Sequence, residues 1–175
     1  MTDPASLDLT DDWKCRWDRR RELKVRALSN RLYQLERQLI MEWREGSVKV
    51  ASLAASSVAV ANVSNQSIIR YAAAVIFIGT CCSLVFGWGN KARDAAKRAA
   101  DCVALAADIE MSGEREFTED QLNAWAARSH VLEAGEPAQH AALFERCYRR
   151  ACADLGVTPA GATAKPRWRP TLFIP

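Results

Sequence analysis

The sequence lacks the residue patterns of the common enzyme families. It contains no glycine-rich phosphate loop, no GxSxG and no HExxH motif. The two histidines, His130 and His140, have no matched Asp, Cys or Ser arrangement around them, so a structural or surface role is expected for both. We therefore expect a protein that is not an enzyme, with no catalytic residues, no cofactor and no metal ion.

Cysteine pairs with the spacing of a zinc site are also missing, although the chain has 6 cysteines. None forms a CxxC motif, and Cys81 and Cys82 lie inside an apolar run, where small buried thiols are common. This usage favours a reducing compartment over a disulfide framework. The N-terminus is acidic and then strongly basic, without an early apolar core, so no signal peptide is expected.

The charged residues are abundant but segregated along the chain. Residues 13–44 are rich in Lys and Arg, residues 99–137 are mainly acidic, and residues 146–175 are basic again. Such blocks usually form solvated faces and pair between helices. The basic positions are not interleaved with a recognisable nucleic-acid-binding module, so direct nucleic-acid binding is not expected.

Two apolar runs joined by a very short polar link are the most informative feature. Residues 50–63 are uncharged but only weakly apolar, and residues 68–88 have about the 20 residues that cross a bilayer core. The single charge of the second run, Arg70, lies near its start, and Tyr71 and Trp88 bracket it. The runs predict a two-helix transmembrane hairpin. The first run alone also fits a buried helix of a cytosolic bundle, but the second is apolar all round.

Basic residues flank both ends of the predicted hairpin, and its turn has only Arg70 nearby. Lys and Arg are dense before the first run and recur after the second, at Lys91, Arg93, Lys97 and Arg98. The positive-inside rule then places both termini in the cytoplasm, with membrane lipids as partners of the hairpin.

The remaining sequence predicts helices on either side, and so an all-α protein with a cytoplasmic helical bundle. A heptad seam indicates a packed amphipathic helix before the hairpin; its members are Val25, Leu28, Leu32, Leu35 and Leu39. After it, we predict helices over 89–111, from a capping box at Thr118 to residue 134, and over 137–155. The predicted domains are 1–46, the hairpin 47–88, the helices 89–156 and a proline-rich basic tail 157–175.

Three sets of residues are the candidate functional positions. A small-residue stripe suited to helix packing or oligomer formation comprises Gly79, Ser83 and Gly87. Candidate pore-lining residues on one face of the first helix are Lys49, Ser52 and Ser56. These faces can instead pair within the hairpin, and the serines can bond to their own helix carbonyls. Basic residues that can contact anionic lipid are Arg16, Arg19, Arg20, Arg21, Lys24 and Arg26.

The layout over residues 20–155 resembles a known bacterial family. The resemblance rests on Arg31-Leu32-Tyr33, the short-turned helix pair, the segments at 105–110 and 118–122, residues 125–132, and Gly135-Glu136-Pro137. It is to the SLATT proteins, the SMODS and SLOG-associating two-transmembrane effectors of conflict systems. It implies a homo-oligomeric effector that perturbs or permeabilises the inner membrane when triggered by a nucleotide signal or by a defence-system partner. Partners in that setting are nucleotidyltransferases, nucleotide sensors and reverse transcriptases.

Two other functions fit the same sequence. A phage holin-like lysis protein shares the short hairpin and small residues, although the structured segment after Gly89 counts against it. A membrane-anchored scaffold that forms no pore is the third reading.

Overall fold

A computed structural model describes residues 4–61, 64–113, 116–136 and 139–159, with side chains from Asp12 onward. Every regular element in these ranges is a helix, which confirms the all-α prediction. The five helices are α1 (Pro4–Ala61), α2 (Gln66–Phe86), α3 (Trp88–Met111), α4 (Glu119–Ala134) and α5 (Ala141–Asp154). Most of the predicted tail, from residue 160 onward, lies outside the described residues.

The chain forms two compact units. The first, which we call the bundle unit, contains residues up to 34 and residues from 98 onward; the second contains residues 35–97. The predicted domain divisions at 46/47 and 88/89 stay predictions. Helix α1 continues through Gly46 without interruption, because a single glycine inside a helix costs only about 1 kcal/mol relative to alanine.

The bundle unit is built around a small apolar core. Each large apolar side chain in it contributes roughly 1.5–3 kcal/mol through burial. Its buried members come from α1, α3, α4 and the connection between α3 and α4, and they are Leu23, Ala27, Leu105, Ile109, Phe117, Leu122 and Trp125.

The buried face of α1 has the predicted heptad period but a different register. In the bundle unit one buried stripe follows steps of three and four and comprises Arg20, Leu23, Ala27, Asn30 and Gln34; Val25, Ser29 and Tyr33 are buried beside it. Of the predicted seam, Val25 is buried, whereas Leu39 is 62% exposed. Polar residues occupy the inner stripe because α4 and the residues after it supply partners. Asn30 donates to Glu133 at 3.0 Å and Gln34 donates to Glu136 at 2.5 Å.

The two C-terminal helices begin at well-formed caps. At α4 the Gln121 backbone N–H donates to Thr118 Oγ1 at 3.3 Å, and the Thr118 N–H donates to Gln121 Oε1 at 2.8 Å, so the predicted capping box is confirmed. Helix α5 starts later than predicted, with His140 as its N-cap accepting from the Leu143 N–H at 3.3 Å. The predicted start, Pro137, lies outside the described residues.

In the second unit, α2 has a cap at each end. Asn65 Oδ1 accepts from the Ser67 N–H at 3.2 Å at its start. Gly87 ends it in the left-handed region, with φ of 57°, which a residue with a side chain adopts only at a cost. The Gly87 carbonyl then accepts from the N–H groups of Asn90 and Lys91, both at 3.0 Å, as α3 begins. The apolar run is therefore interrupted at Gly87, within the predicted span 68–88.

Candidate functional site: an exposed apolar helix pair

Residues 48–61 of α1 and the whole of α2, which we call the helix pair, contact each other through small side chains. A Cβ placed on Gly79 would lie 3.3 Å from Val48 Cγ1 and 3.5 Å from Ser52 Oγ. The absence of a side chain at Gly79 therefore lets the two helices approach closely. This contact brings together one member of the predicted small-residue stripe and one member of the predicted pore-lining face.

The other members of the stripe have different surroundings. Ser83 is half-buried, and its carbonyl accepts from the Gly87 N–H at 3.0 Å. Gly87 has no heavy atom within 4 Å of an added Cβ, and its positive φ serves the end of α2. Within this single chain, Gly79 is thus the stripe position that packs against α1, and a role of the stripe in oligomers stays a prediction.

Three exposed hydroxyl groups of the helix pair donate to carbonyls of their own helices. Ser56 donates to the Ser52 carbonyl at 2.7 Å and Ser57 donates to the Leu53 carbonyl at 3.0 Å. On α2, Thr80 donates to the Ile76 carbonyl at 2.8 Å. A hydroxyl bonded in this way requires neither water nor a protein partner. These exposed positions are therefore compatible with an apolar surrounding as well as with water.

The outer surface of the helix pair is strongly apolar. Large apolar side chains that are at least half exposed occur on both helices, and they include Val50, Leu53, Val60, Phe77, Ile78, Leu84 and Val85. In the described part of the chain, one helical stretch, within Gln66–Met111, is long and apolar enough to cross a membrane, and only 6% of its apolar window is buried. Exposed apolar surface of this extent marks a site of interaction with lipid or protein.

Charged groups gather where the helix pair meets α3. Lys49, the third predicted pore-lining residue, pairs with Glu45 one turn earlier, with Nζ and Oε1 2.7 Å apart. The Glu45 carboxylate lies against Gly89 so closely that a Cβ there would collide with it. Because Gly89 is in the first turn of α3, the carboxylate also lies near the positive end of that helix.

The predicted lipid-contacting residues of α1 all make contacts inside the bundle unit or within α1. Arg19 donates to Asn123 Oδ1 at 2.9 Å, and Arg21 donates to the Gly156 carbonyl at 3.1 Å. Three form ion pairs: Arg16 with Asp12 at 2.6 Å, Lys24 with Glu110 at 3.4 Å, and Arg26 with Glu133. Their binding to lipid is not shown and stays a prediction.

Arg20 is the most deeply placed of these residues, with 4% of its surface exposed. Its guanidinium donates to the carbonyls of Ile109 and Ser112, both at 2.7 Å, at the end of α3. Its Cζ lies 5.4 Å from the ring centroid of Trp17 and 5.1 Å from that of Phe117. The last carbonyls of a helix lack intrahelical donors and carry partial negative charge, so Arg20 satisfies the end of α3.

Arg26, Asn30 and Glu133 form a polar network between α1 and α4. Two guanidinium nitrogens of Arg26 donate to the Glu133 carboxylate, which also accepts from Asn30, and one of them lies 3.4 Å from His130 Nδ1. Partial burial acts to raise the pKa of Glu133, but the hydrogen bonds from Arg26 and Asn30 outweigh it and leave the pKa below its ordinary value. The hydrogen bond to Glu133 correspondingly raises the pKa of Arg26.

This network predicts a loss of stability in acid. Because the pKa of Glu133 is lower in the folded chain, its contribution is complete above the ordinary glutamate pKa of about 4.3 and disappears as the pH falls below it. Glu133→Gln should lower the free energy of unfolding at pH 7 by about 1–3 kcal/mol and flatten its acid dependence. Urea denaturation of the full chain across pH measures both effects.

The matched control is Glu110→Gln, which removes a more exposed carboxylate paired with Lys24. An exposed pair is worth about 0–1 kcal/mol, so this change should have a small effect. Equal losses in the two variants, or an unchanged acid dependence in Glu133→Gln, would contradict the assignment.

The described residues include no cluster of His, Cys, Asp and Glu able to hold a metal ion. Burial raises the pKa of Cys102 to about 11, so its thiol stays protonated at neutral pH and acts as a packing group. Comparison of the chain with protein-family models, with curated proteins and with solved structures finds no match.

Proposed function

We propose that this protein is a membrane effector whose helix pair inserts into the bacterial inner membrane as a two-helix transmembrane hairpin. The observation that carries the proposal is the outer surface of the pair, where large apolar side chains are exposed and Ser56, Ser57 and Thr80 bond to their own helices. Such a surface is costly in water and suited to lipid. Both termini and the bundle unit remain in the cytoplasm in this proposal.

The effector acts as a homo-oligomer that forms a pore or otherwise disrupts the membrane. The bundle unit receives the trigger, a nucleotide signal or a defence-system partner such as a nucleotidyltransferase, a nucleotide sensor or a reverse transcriptase. The resemblance to the SLATT proteins supports this role. With Ser52 facing Gly79, the exposed residues Lys49 and Ser56 are the members of the predicted face that remain available to line a pore.

A non-pore membrane anchor is the second candidate, and one observation favours it. The hydroxyls of Ser56, Ser57 and Thr80 donate within their own helices, so these positions do not require an aqueous channel.

Inducible expression in a bacterium, followed by membrane fractionation, tests the proposal. The effector predicts that the protein stays in the membrane pellet after carbonate extraction and that induction lowers both membrane potential and viability when the trigger is present. Retention in the pellet with an intact potential would favour the anchor. Recovery in the soluble fraction would overturn both candidates.

A further inference from the structure

We infer that the surface that recognises anionic lipid headgroups lies on the first turns of α3, at Lys91, Arg93 and Lys97, rather than on the basic stretch of α1. We call these three residues the α3 collar. The inference rests on the proposed membrane insertion and specifies which charges meet the lipid surface.

The basic residues at 20, 24 and 26 of α1 already have partners in the bundle unit. Arg20 is buried on the end of α3, and Arg26 is bound to Glu133 and close to His130. Lys24 pairs with Glu110. Transfer of these groups to a lipid surface would break contacts that hold α1 to α3 and α4.

The α3 collar is exposed and lies close along the chain to the end of α2. All three side chains are exposed, and Arg93 donates locally to Asn90 Oδ1 at 2.6 Å. They follow the last residue of α2 by 5 to 11 positions, which is about 8–16 Å of helix. The headgroup layer is about 5–8 Å thick on each side of a bilayer, so long side chains at these positions are within reach of it.

The neighbourhood of the α3 collar has the composition of a membrane interface. Trp88 stacks on Phe86 with ring centroids 5.4 Å apart, and Trp43 in the same unit is largely exposed. Tryptophan concentrates at headgroup depth because its ring is apolar and its N–H is polar. One exposed acid, Asp94, lies among the basic residues, so the segment 91–97 keeps a net charge of +2 from three positive residues and one negative residue.

These charges define the expected ligand as an anionic lipid surface. Each basic residue near such a surface raises the ratio of membrane-bound to free protein about fivefold, the equivalent of about 1 kcal/mol. Removal of all three should therefore lower the preference for anionic over neutral vesicles by at least about tenfold at low ionic strength.

The test uses the full chain added from dilute detergent to two kinds of vesicle, phosphatidylcholine alone and phosphatidylcholine mixed with phosphatidylglycerol. Flotation measures the bound fraction for the wild type and for the triple variant Lys91→Gln, Arg93→Gln, Lys97→Gln. The matched control removes three exposed positive charges from the bundle unit, by Lys14→Gln, Arg31→Gln and Arg150→Gln.

The inference predicts that the collar variant loses the preference for phosphatidylglycerol while the control retains it. An equal loss in both triple variants, or an unchanged preference in the collar variant, would overturn it. Carbonate-resistant insertion into phosphatidylcholine vesicles is scored separately. If the wild type fails to insert into either vesicle, the proposed function itself is wrong; if it inserts but the collar variant keeps its preference, only this inference is wrong.

Discussion

Phe77→Arg is expected to remove most of the protein from the membrane fraction. Phe77 lies near the middle of α2, and 70% of its surface is exposed, so the substitution breaks few contacts within the chain. In a membrane, the same position would place a charged side chain near the bilayer centre, at a cost of about 2.5–3.5 kcal/mol. Carbonate extraction after expression should show a loss of membrane-retained protein on the order of a hundredfold in the partition ratio.

Val131→Arg is the matched control for this change. Val131 is on α4 in the bundle unit and is 72% exposed, so it gains the same charge at an equally exposed apolar position. In water, the two substitutions should have equally small effects on the stability of the fold. Equal retention of both in the pellet would show that α2 does not reside in lipid, whereas equal loss of both would show a general effect of the added charge.

Gly79→Leu is expected to force the two members of the helix pair apart. The Cβ alone would lie 3.3 Å from Val48 Cγ1, a contact that a small shift of the valine relieves, so Gly79→Ala should be nearly neutral. The three further carbons of leucine would extend towards α1. Overpacking of this kind costs about 1–3 kcal/mol or more, and the thermal unfolding midpoint in detergent should fall by several degrees.

Gly46→Leu provides the control for size and helix propensity. Gly46 also lies inside a helix of the same unit, but an added Cβ there meets no atom within 4 Å. Leucine at this position should stabilise the helix by up to about 1 kcal/mol, because glycine is a poor helix former. Equal midpoints for Gly79→Leu and Gly46→Leu would show that Gly79 is not a packing position.

Local signals in the sequence predicted several helix ends correctly. The end of α3 at Met111, the Thr118 cap and the end of α4 at Ala134 all agree with prediction, because each depends on residues within one or two turns. The late start of α5 was missed, since a histidine is an uncommon N-cap and Pro137 was the stronger local signal for a helix start.

Long-range partners explain what the sequence did not reveal in the bundle unit. The hydrophobic pattern of α1 pointed to its leucines, but the buried stripe includes Asn30 and Gln34, whose partners lie about a hundred residues away at Glu133 and Glu136. Arg20 is a similar case, because no local pattern distinguishes it from Arg19 or Arg21. Only the fold shows which arginine reaches the end of α3.

The candidate site was predictable in location more than in detail. Both apolar runs are largely helical in the structure, and the spacing of four residues included Gly79, which lies against Val48; the transmembrane hairpin itself stays a prediction. The same spacing could not show that Gly87 ends the helix in a left-handed conformation, because glycine occurs both at close helix contacts and at helix ends.

The unequal apolarity of the helix pair has a consequence for biosynthesis. The stretch long and apolar enough to span a membrane begins at Gln66, so residues 48–61 lie outside it, yet they leave the ribosome first. In the proposed membrane setting, the leading segment has too little affinity for lipid to partition alone. Its entry must therefore wait until the trailing helix has been made and the two can pair at Gly79. If the pair inserts as proposed, the later-synthesised helix would bring both into the bilayer.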